Sequence, residues 1–88
     1  MPDNKDTIDA RLKQLQFRSR HRGINEMDQI MGRFAAGHLA TLDNALLDQY
    51  ERLLNLPDLD VYPWLVEQAE PPAEWAALIA LIRKSIAA

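Results

Sequence analysis

The sequence predicts an all-α fold, a compact bundle of about five short helices in a single domain. Apolar residues recur at three- and four-residue spacing, no segment alternates with the two-residue period of a strand, and glycine or proline interrupts the pattern at intervals. The 88 residues suffice for one core but not for two. We expect residues 1–6 and 87–88 to be disordered, because chain ends make the fewest contacts.

The first helix is predicted to begin after Thr7, whose side chain can cap it, and to carry the apolar residues Ile8, Leu12 and Leu15. It should end at about residue 21 or 22, because Gly23 accepts a left-handed backbone without steric cost. The second helix should begin near residue 24 or 25 and end before Gly37. Its apolar stripe is Met27, Ile30, Met31 and Phe34.

The third helix is the clearest amphipathic segment, and residues 37–42 form the predicted connection to it. Asp43 is the predicted cap, and the apolar face consists of Leu46, Leu47, Tyr50, Leu53 and Leu54. Pro57 should end this helix. A short fourth helix with Asp60 as its cap would place Pro63 at the third helical position, where the missing N–H has no helical partner.

The last helix is predicted to start at residue 72 or 73, after the Pro71-Pro72 break, with Trp75, Leu78, Ile79, Ile82 and Ile86 on one face. The aromatic residues of the last four helices should pack in the core, with the tyrosine hydroxyls near the surface. Met27 and Met31 are expected in the core as well. Phe17 lies off the apolar stripe of the first helix, so it could either cover the core or stay exposed for a partner.

Charge is distributed unevenly along the chain, although its net value is only −3. Residues 11–22 hold five Lys and Arg and no acid, whereas residues 43–74 hold eight acids and only Arg52 as a cation. Such a polarised molecule can steer a partner, but its acidic half repels polyanions. A helix-turn-helix nucleic-acid binder is therefore disfavoured, because it needs a dense basic face.

Cysteine is absent, which excludes disulfides and thiolate chemistry and suits a reducing compartment. Residues 1–6 are polar and resemble neither a secretory signal nor a transit peptide. No apolar run approaches the ~18 residues that a membrane span requires. We expect a bacterial cytoplasmic protein with no membrane span.

The residues that could act in catalysis form no recognisable set. His21 and His38 are the only imidazoles, too few for a metal site, and the hydroxyl residues Ser19, Ser85, Thr7 and Thr41 have no evident base partner. A glycine-rich phosphate loop is also missing. We expect that the protein is not an enzyme and holds no metal.

The segment Arg22-Gly23-Ile24-Asn25-Glu26 places a cation, a glycine and an anion within five residues. If these residues belonged to one helix, Gly23 would cost about 1 kcal/mol relative to alanine. A corner between two helices accounts for the glycine better and would present both charges on one surface. From the residues alone, that surface could be a recognition site or ordinary solvated charge.

Three segments together resemble the SdhE family, across roughly residues 8–83: residues 19–28 (SRHRGINEMD), 50–54 (YERLL) and 57–65 (PDLDVYPWL). Members of that family are small helical assembly factors that promote covalent attachment of FAD to the flavoprotein subunit of succinate dehydrogenase and, in some bacteria, fumarate reductase. The family engages this subunit through an Arg-Gly-x-x-Glu motif, which Arg22, Gly23 and Glu26 match. Asp28 supplies the acid that typically follows. His21 stands where the family often has a second arginine, and a free histidine is mostly neutral above neutral pH.

The resemblance implies a monomeric protein that binds the flavoprotein subunit of succinate dehydrogenase, fumarate reductase or both. FAD would belong to that partner, and this chain would hold no cofactor stably. The partner-binding residues would be Arg22, Gly23, Glu26, His21 and Asp28. The alternative is an adaptor or antitoxin-type module that acts on an unrelated partner, since some relatives are labelled antitoxin components.

Overall fold

Five α-helices follow one another in the computed structural model, which describes residues 4–21 and 23–87, and the side chains of residues 9–21 and 23–86. The helices are α1 (Asn4–Arg20), α2 (Asn25–His38), α3 (Asn44–Leu54), α4 (Asp58–Leu65) and α5 (Ala76–Ala87). Single 3₁₀ turns at Leu39–Thr41 and Ala73–Trp75 precede α3 and α5. These residues contain no strand, so the predicted all-α class is confirmed.

The core lies between α2, α3, α4 and α5, and α1 packs mainly along α2. Each helix buries one stripe, and a fully buried Leu, Ile, Met or Phe side chain contributes about 1.5–3 kcal/mol. The predicted apolar faces are therefore confirmed in their main members. The largest fully buried apolar side chains are Leu15, Met27, Met31, Phe34, Leu39, Tyr50, Leu53, Val61, Leu78, Ile79 and Ile82.

The predicted start of α3 is confirmed by its cap. The Asp43 backbone is extended, and its Oδ1 accepts a hydrogen bond of 2.8 Å from the backbone N–H of Leu46. This bond satisfies one of the N–H groups that the first turn of a helix leaves without a partner. A local signal in the sequence was sufficient to place this boundary.

The first two helices are longer than predicted. Helix α1 begins at Asn4 rather than after Thr7, so residues 4–6 are helical. Nothing between Pro2 and Thr7 breaks a helix, which explains the earlier start. Helix α2 continues through Gly37 to His38, because a single glycine costs only about 1 kcal/mol and Leu39 just beyond it is fully buried.

The prediction that Asp60 caps α4 is wrong. This helix begins at Asp58, directly after Pro57, so Pro63 is its sixth residue and lies in the helix interior. The ring removes the hydrogen bond that the Leu59 carbonyl would accept, but Leu59 is 79% exposed and water can reach that end of the helix. Burial of Val61 and Leu65 keeps the segment helical despite that loss.

Helix α4 ends in a Schellman-type turn. The backbone N–H of Gln68 donates to the Pro63 carbonyl at 2.9 Å, and Glu67 takes a left-handed conformation with φ of 61°. Glycine is the usual residue at this position, because a side chain there costs about 1–2 kcal/mol. Glu67 reaches Arg83 at 3.9 Å, and Arg83 Nε donates to the Trp64 carbonyl at 2.8 Å, which ties α5 to α4.

One expectation about side chains is also corrected. The Tyr50 hydroxyl lies in the core rather than near the surface, where it contacts Ser19 Oγ at 2.6 Å. Ser19 is the one fully buried polar side chain among the described residues, and it makes the core position of the phenol tolerable. Ile86 is 43% exposed, because α5 extends past the core at its carboxyl end.

Candidate functional site

A sharp corner joins α1 to α2, and it contains the motif that the sequence singled out. Helix α1 ends at Arg20 and α2 begins at Asn25. Gly23 has a φ of 101°, which confirms that glycine permits the turn here. Ile24 has an extended backbone and is half-buried against the core, so it anchors the corner while its neighbours stay at the surface.

The structure exposes three of the five residues predicted to bind a partner, namely His21, Gly23 and Glu26. Asp28 is half-buried. Arg22 lies outside the described residues, so its predicted role stays a prediction. A Cβ at Gly23 would meet no atom within 4 Å, and the space above this backbone is therefore open to a partner.

The two acids of the motif line different grooves. Glu26 borders a groove of about 160 Å³ between α2, α4 and α5, together with Ile30, Arg33 and Tyr62. Asp28 borders a shallower, neighbouring space of about 340 Å³ along α2, next to Arg20 and Gly32. Both acids belong to the first turn of α2, where the helix dipole favours negative charge.

Arg20 lies across α2 because Gly32 leaves room for it. A Cβ at Gly32 would come within 3.0 Å of Arg20 Cγ, so a larger residue would push the arginine stem aside. Sequence reasoning did not assign a role to Gly32, since a glycine in a helix usually only weakens it. The contact places a second cation beside the corner.

His21 is held on α1 rather than directed towards Glu26. Its ring stacks on Phe17 with centroids 4.0 Å apart and an angle of 18° between the planes, and its Nδ1 lies 2.7 Å from the Phe17 carbonyl oxygen. Phe17 is 63% exposed, which decides between the two positions left open for it. The corner is therefore a ridge with an acidic side on α2 and an aromatic, basic side on α1.

Sequence reasoning missed Arg33 and Tyr62 as neighbours of Glu26. Arg33 could have been found, because it follows Glu26 by seven residues and thus shares its helix face. Tyr62 belongs to α4, and only the packing of α4 near α2 brings it there.

The described serine and threonine hydroxyl groups are engaged in local hydrogen bonds. Ser19 Oγ donates to Leu15, Thr41 Oγ1 to His38 and Ser85 Oγ to Ile82, each at a backbone carbonyl three or four residues earlier. His38 stacks on Phe34 with centroids 5.5 Å apart. Among the described side chains, those of residues 9–21 and 23–86, no three His, Asp or Glu lie together as metal ligands would. No nucleophile and base are brought together by these contacts.

The basic strip of α1 is partly neutralised at its beginning. Arg11 Nη2 lies 2.6 Å from Asp48 Oδ1 and 3.7 Å from Glu51 Oε2. These ion pairs leave the positive charge concentrated near the end of α1, close to the corner. Among the described residues, the pairing of Arg11 therefore interrupts the basic face that a nucleic-acid backbone would require.

Every helix in the described part of the chain is too short or too polar to cross a lipid bilayer.

Comparison with known proteins identifies a family. Residues 13–86 match the family model Sdh5, flavinator of succinate dehydrogenase. A relative from Meyerozyma guilliermondii, named succinate dehydrogenase assembly factor 2, mitochondrial, is 42% identical over 59 residues, which cover 67% of this chain and 44% of the relative. No solved structure matches the chain significantly.

Two further relatives carry the same name. The relative from Schizosaccharomyces pombe is 37% identical over 70 residues, which cover 80% of this chain and 50% of the relative. The relative from Lodderomyces elongisporus is 33% identical over 84 residues, which cover 90% of this chain and 51% of the relative. The chain thus spans about half the length of the curated relatives it matches. Since the family model covers most of the sequence and the helical architecture agrees, the chain belongs to the Sdh5 family, the flavinators of succinate dehydrogenase, as its resemblance to the SdhE family indicated.

Proposed function

We propose that this protein binds the flavoprotein subunit of succinate dehydrogenase and promotes covalent attachment of FAD to it. The observation that carries the proposal is the match of residues 13–86 to the family of succinate dehydrogenase flavinators. The exposed corner between α1 and α2 supports it, because that corner offers a mixed-charge surface to a protein partner.

In this proposal the protein is an assembly factor and not an enzyme. The attachment would bond a histidine nitrogen of the flavoprotein to the 8-methyl carbon of the flavin, with one proton lost from each and the two electrons of the broken C–H bond left on the isoalloxazine, which is thereby reduced. Both reacting groups therefore belong to the partner. This protein would hold the partner in a geometry that aligns those groups, an effect that can remove several kcal/mol from a barrier. The engagement of its own described serine and threonine hydroxyl groups with backbone carbonyls agrees with such a role.

FAD is proposed to stay with the flavoprotein. Sites that hold a cofactor bury most of its surface in a cleft. The groove beside Phe17, for example, measures about 360 Å³ and is shallow. A dinucleotide would remain mostly exposed in it.

The corner residues would divide the contact among them. Arg22 would pair with a carboxylate of the partner, and Glu26 would accept a hydrogen bond from a partner donor. Gly23 would let the partner backbone approach, in agreement with the open space above it. His21 and Asp28 would border this contact on α1 and α2.

Three finer points belong to the same proposal. Fumarate reductase would be a second client where it carries covalent FAD, since the reacting groups are the same. The free protein would be a monomer in the cytoplasm. Size-exclusion chromatography tests whether the free protein is a monomer. Cell fractionation tests whether it lies in the cytoplasm; the names of the curated relatives place those proteins in mitochondria.

The proposal is tested by measuring covalent flavin on the flavoprotein subunit in a strain that lacks this protein. After denaturing electrophoresis, flavin fluorescence of the subunit should be lost without the protein and restored by the wild-type gene. Arg22→Ala and Glu26→Ala should fail to restore it. Glu70→Ala removes an exposed acid between α4 and α5 and should restore it fully. Wild-type fluorescence in the deletion strain would refute the proposed function.

A further inference from the structure

Phe17 is an exposed aromatic ring that is held in one orientation. It is 63% exposed and is one of three large apolar side chains that are exposed among the described residues. The stack with His21 and the 2.7 Å contact between His21 Nδ1 and the Phe17 carbonyl oxygen fix both rings on the last turns of α1. An exposed ring that is already ordered loses little side-chain entropy when a partner covers it.

Two grooves flank this pair of rings. One has a volume of about 360 Å³ and lies between α1 and the connection from α3 to α4, where Arg18, Leu56 and Pro57 line it. The other has a volume of about 230 Å³ and is lined by Lys13, Gln16 and Arg20 of α1. Phe17 and His21 line both grooves. The two rings therefore form a ridge with a recess on each side, called here the Phe17 ridge.

The borders of the Phe17 ridge are basic. Lys13, Arg18 and Arg20 line the grooves, against Asp58 as the one carboxylate among their described lining residues. Arg18 Nη2 donates to Asn55 Oδ1 at 2.6 Å, and this partner is neutral. Arg11, by contrast, is already paired with Asp48. The end of α1 thus combines an apolar ring with cations.

We propose that the Phe17 ridge is a docking surface for an acidic segment of the flavoprotein that carries an aromatic or large aliphatic side chain. The inference rests on the proposed function, and it extends the contact beyond the Arg-Gly-x-x-Glu motif. Charge complementarity selects the carboxylates of such a segment, and the ring selects its apolar side chain, since a buried aromatic contributes a large contact area. His21 lies next to the corner, so one partner can cover the motif and the ridge together.

Binding of the isolated flavoprotein subunit to purified variants tests this inference. Phe17→Ala should raise the Kd about tenfold or more, as expected for an aromatic anchor, while Phe17→Tyr should stay within about twofold. Leu59→Ala is the matched control: Leu59 is 79% exposed but lines neither groove, and its loss should change the Kd less than about twofold. Equal melting temperatures of the four proteins verify that the fold is intact.

Charge is tested separately by Lys13→Glu, with Lys84→Glu as control because Lys84 is exposed on α5 and lines neither groove. Lys13→Glu should slow association by about threefold or more at low salt, and the difference should shrink as salt is raised. Lys84→Glu should associate at nearly the wild-type rate.

The outcomes separate the inference from the proposed function. If the wild-type protein binds the flavoprotein and Phe17→Ala binds equally well, the inference is overturned and the function stands. If the wild type does not bind the subunit at all, both fall. If the wild type instead self-associates, and Phe17→Ala abolishes that association without changing the Kd for the flavoprotein, the occupant is a second copy of this chain and the inference is overturned.

Discussion

The buried contact between Ser19 and Tyr50 allows a prediction of stability to be worked out in detail. Ser19 Oγ lies 2.7 Å from the Leu15 carbonyl oxygen and 2.6 Å from Tyr50 Oη, and both side chains are fully buried. A serine hydroxyl carries one hydrogen. Since Ser19 donates that hydrogen to Leu15, Tyr50 donates its own to Ser19.

The two single substitutions should therefore differ in cost. Tyr50→Phe leaves Ser19 its bond to Leu15 and should lower the free energy of unfolding by about 1 kcal/mol, the net value of an ordinary hydrogen bond. Ser19→Ala removes the nearer of the two oxygen atoms that the buried phenol contacts, and loss of an acceptor by a buried donor costs about 1–3 kcal/mol in general. The Met31 carbonyl oxygen lies 3.5 Å from Tyr50 Oη and compensates poorly, so we expect a loss of about 2 kcal/mol.

The double variant should be about 1 kcal/mol more stable than the sum of the single losses predicts, because neither polar group remains in the core. Alanine has a better helix propensity than serine, but this gain is present in Ser19→Ala and in the double variant alike. It therefore cancels when the double loss is compared with the sum of the single losses. Urea unfolding followed by circular dichroism measures all four free energies. Losses that add within about 0.3 kcal/mol would refute the hydrogen bond between the two side chains, and a loss in Tyr50→Phe that equals or exceeds the loss in Ser19→Ala would refute the assignment of Tyr50 as donor.

Three further changes have predictable effects on thermal or urea unfolding. Asp43→Ala removes the acceptor for the Leu46 N–H and should cost about 1 kcal/mol, whereas Asp43→Ser should keep most of the stability; equal loss in both would contradict the capping role. Glu67→Gly relieves the left-handed backbone but gives up a weak ion pair with Arg83, for a net gain of about 0.5 kcal/mol; a less stable variant would contradict this balance. Gly23→Ala should lower the free energy of unfolding by about 1 kcal/mol or more, because alanine is strained at a φ of 101° even though no atom would clash with the new methyl group. An unchanged melting temperature would argue against this strain.

The parts of the fold that the sequence predicted correctly depend on local signals. Asp43 followed by an apolar stripe located α3, and Gly23 located the corner between α1 and α2. The parts that it did not predict depend on tertiary packing. Pro63 lies inside α4 because burial of Val61 and Leu65 outweighs one missing hydrogen bond.

In the candidate site, too, some features could be predicted from the sequence and others depend on tertiary packing. The resemblance of residues 19–28 to a known motif gave the corner its predicted partner-binding role, and the exposure of Gly23 and Glu26 follows from the turn. The grooves beside it could not be predicted, because Tyr62 of α4 and Leu56 reach them only through the packing of distant segments. The buried phenol of Tyr50 was missed for a related reason, since its partner Ser19 lies 31 residues away.

The proposed function requires that an exposed corner of this protein bind a client that supplies all reacting groups. The most direct test adds FAD to purified apo-flavoprotein subunit and follows the rate of covalent flavin formation with and without this protein. We expect a marked acceleration by the wild type, none by Glu26→Ala, and no covalent flavin on this protein itself. Equal rates with and without the wild-type protein, or full acceleration by Glu26→Ala, would overturn this proposal.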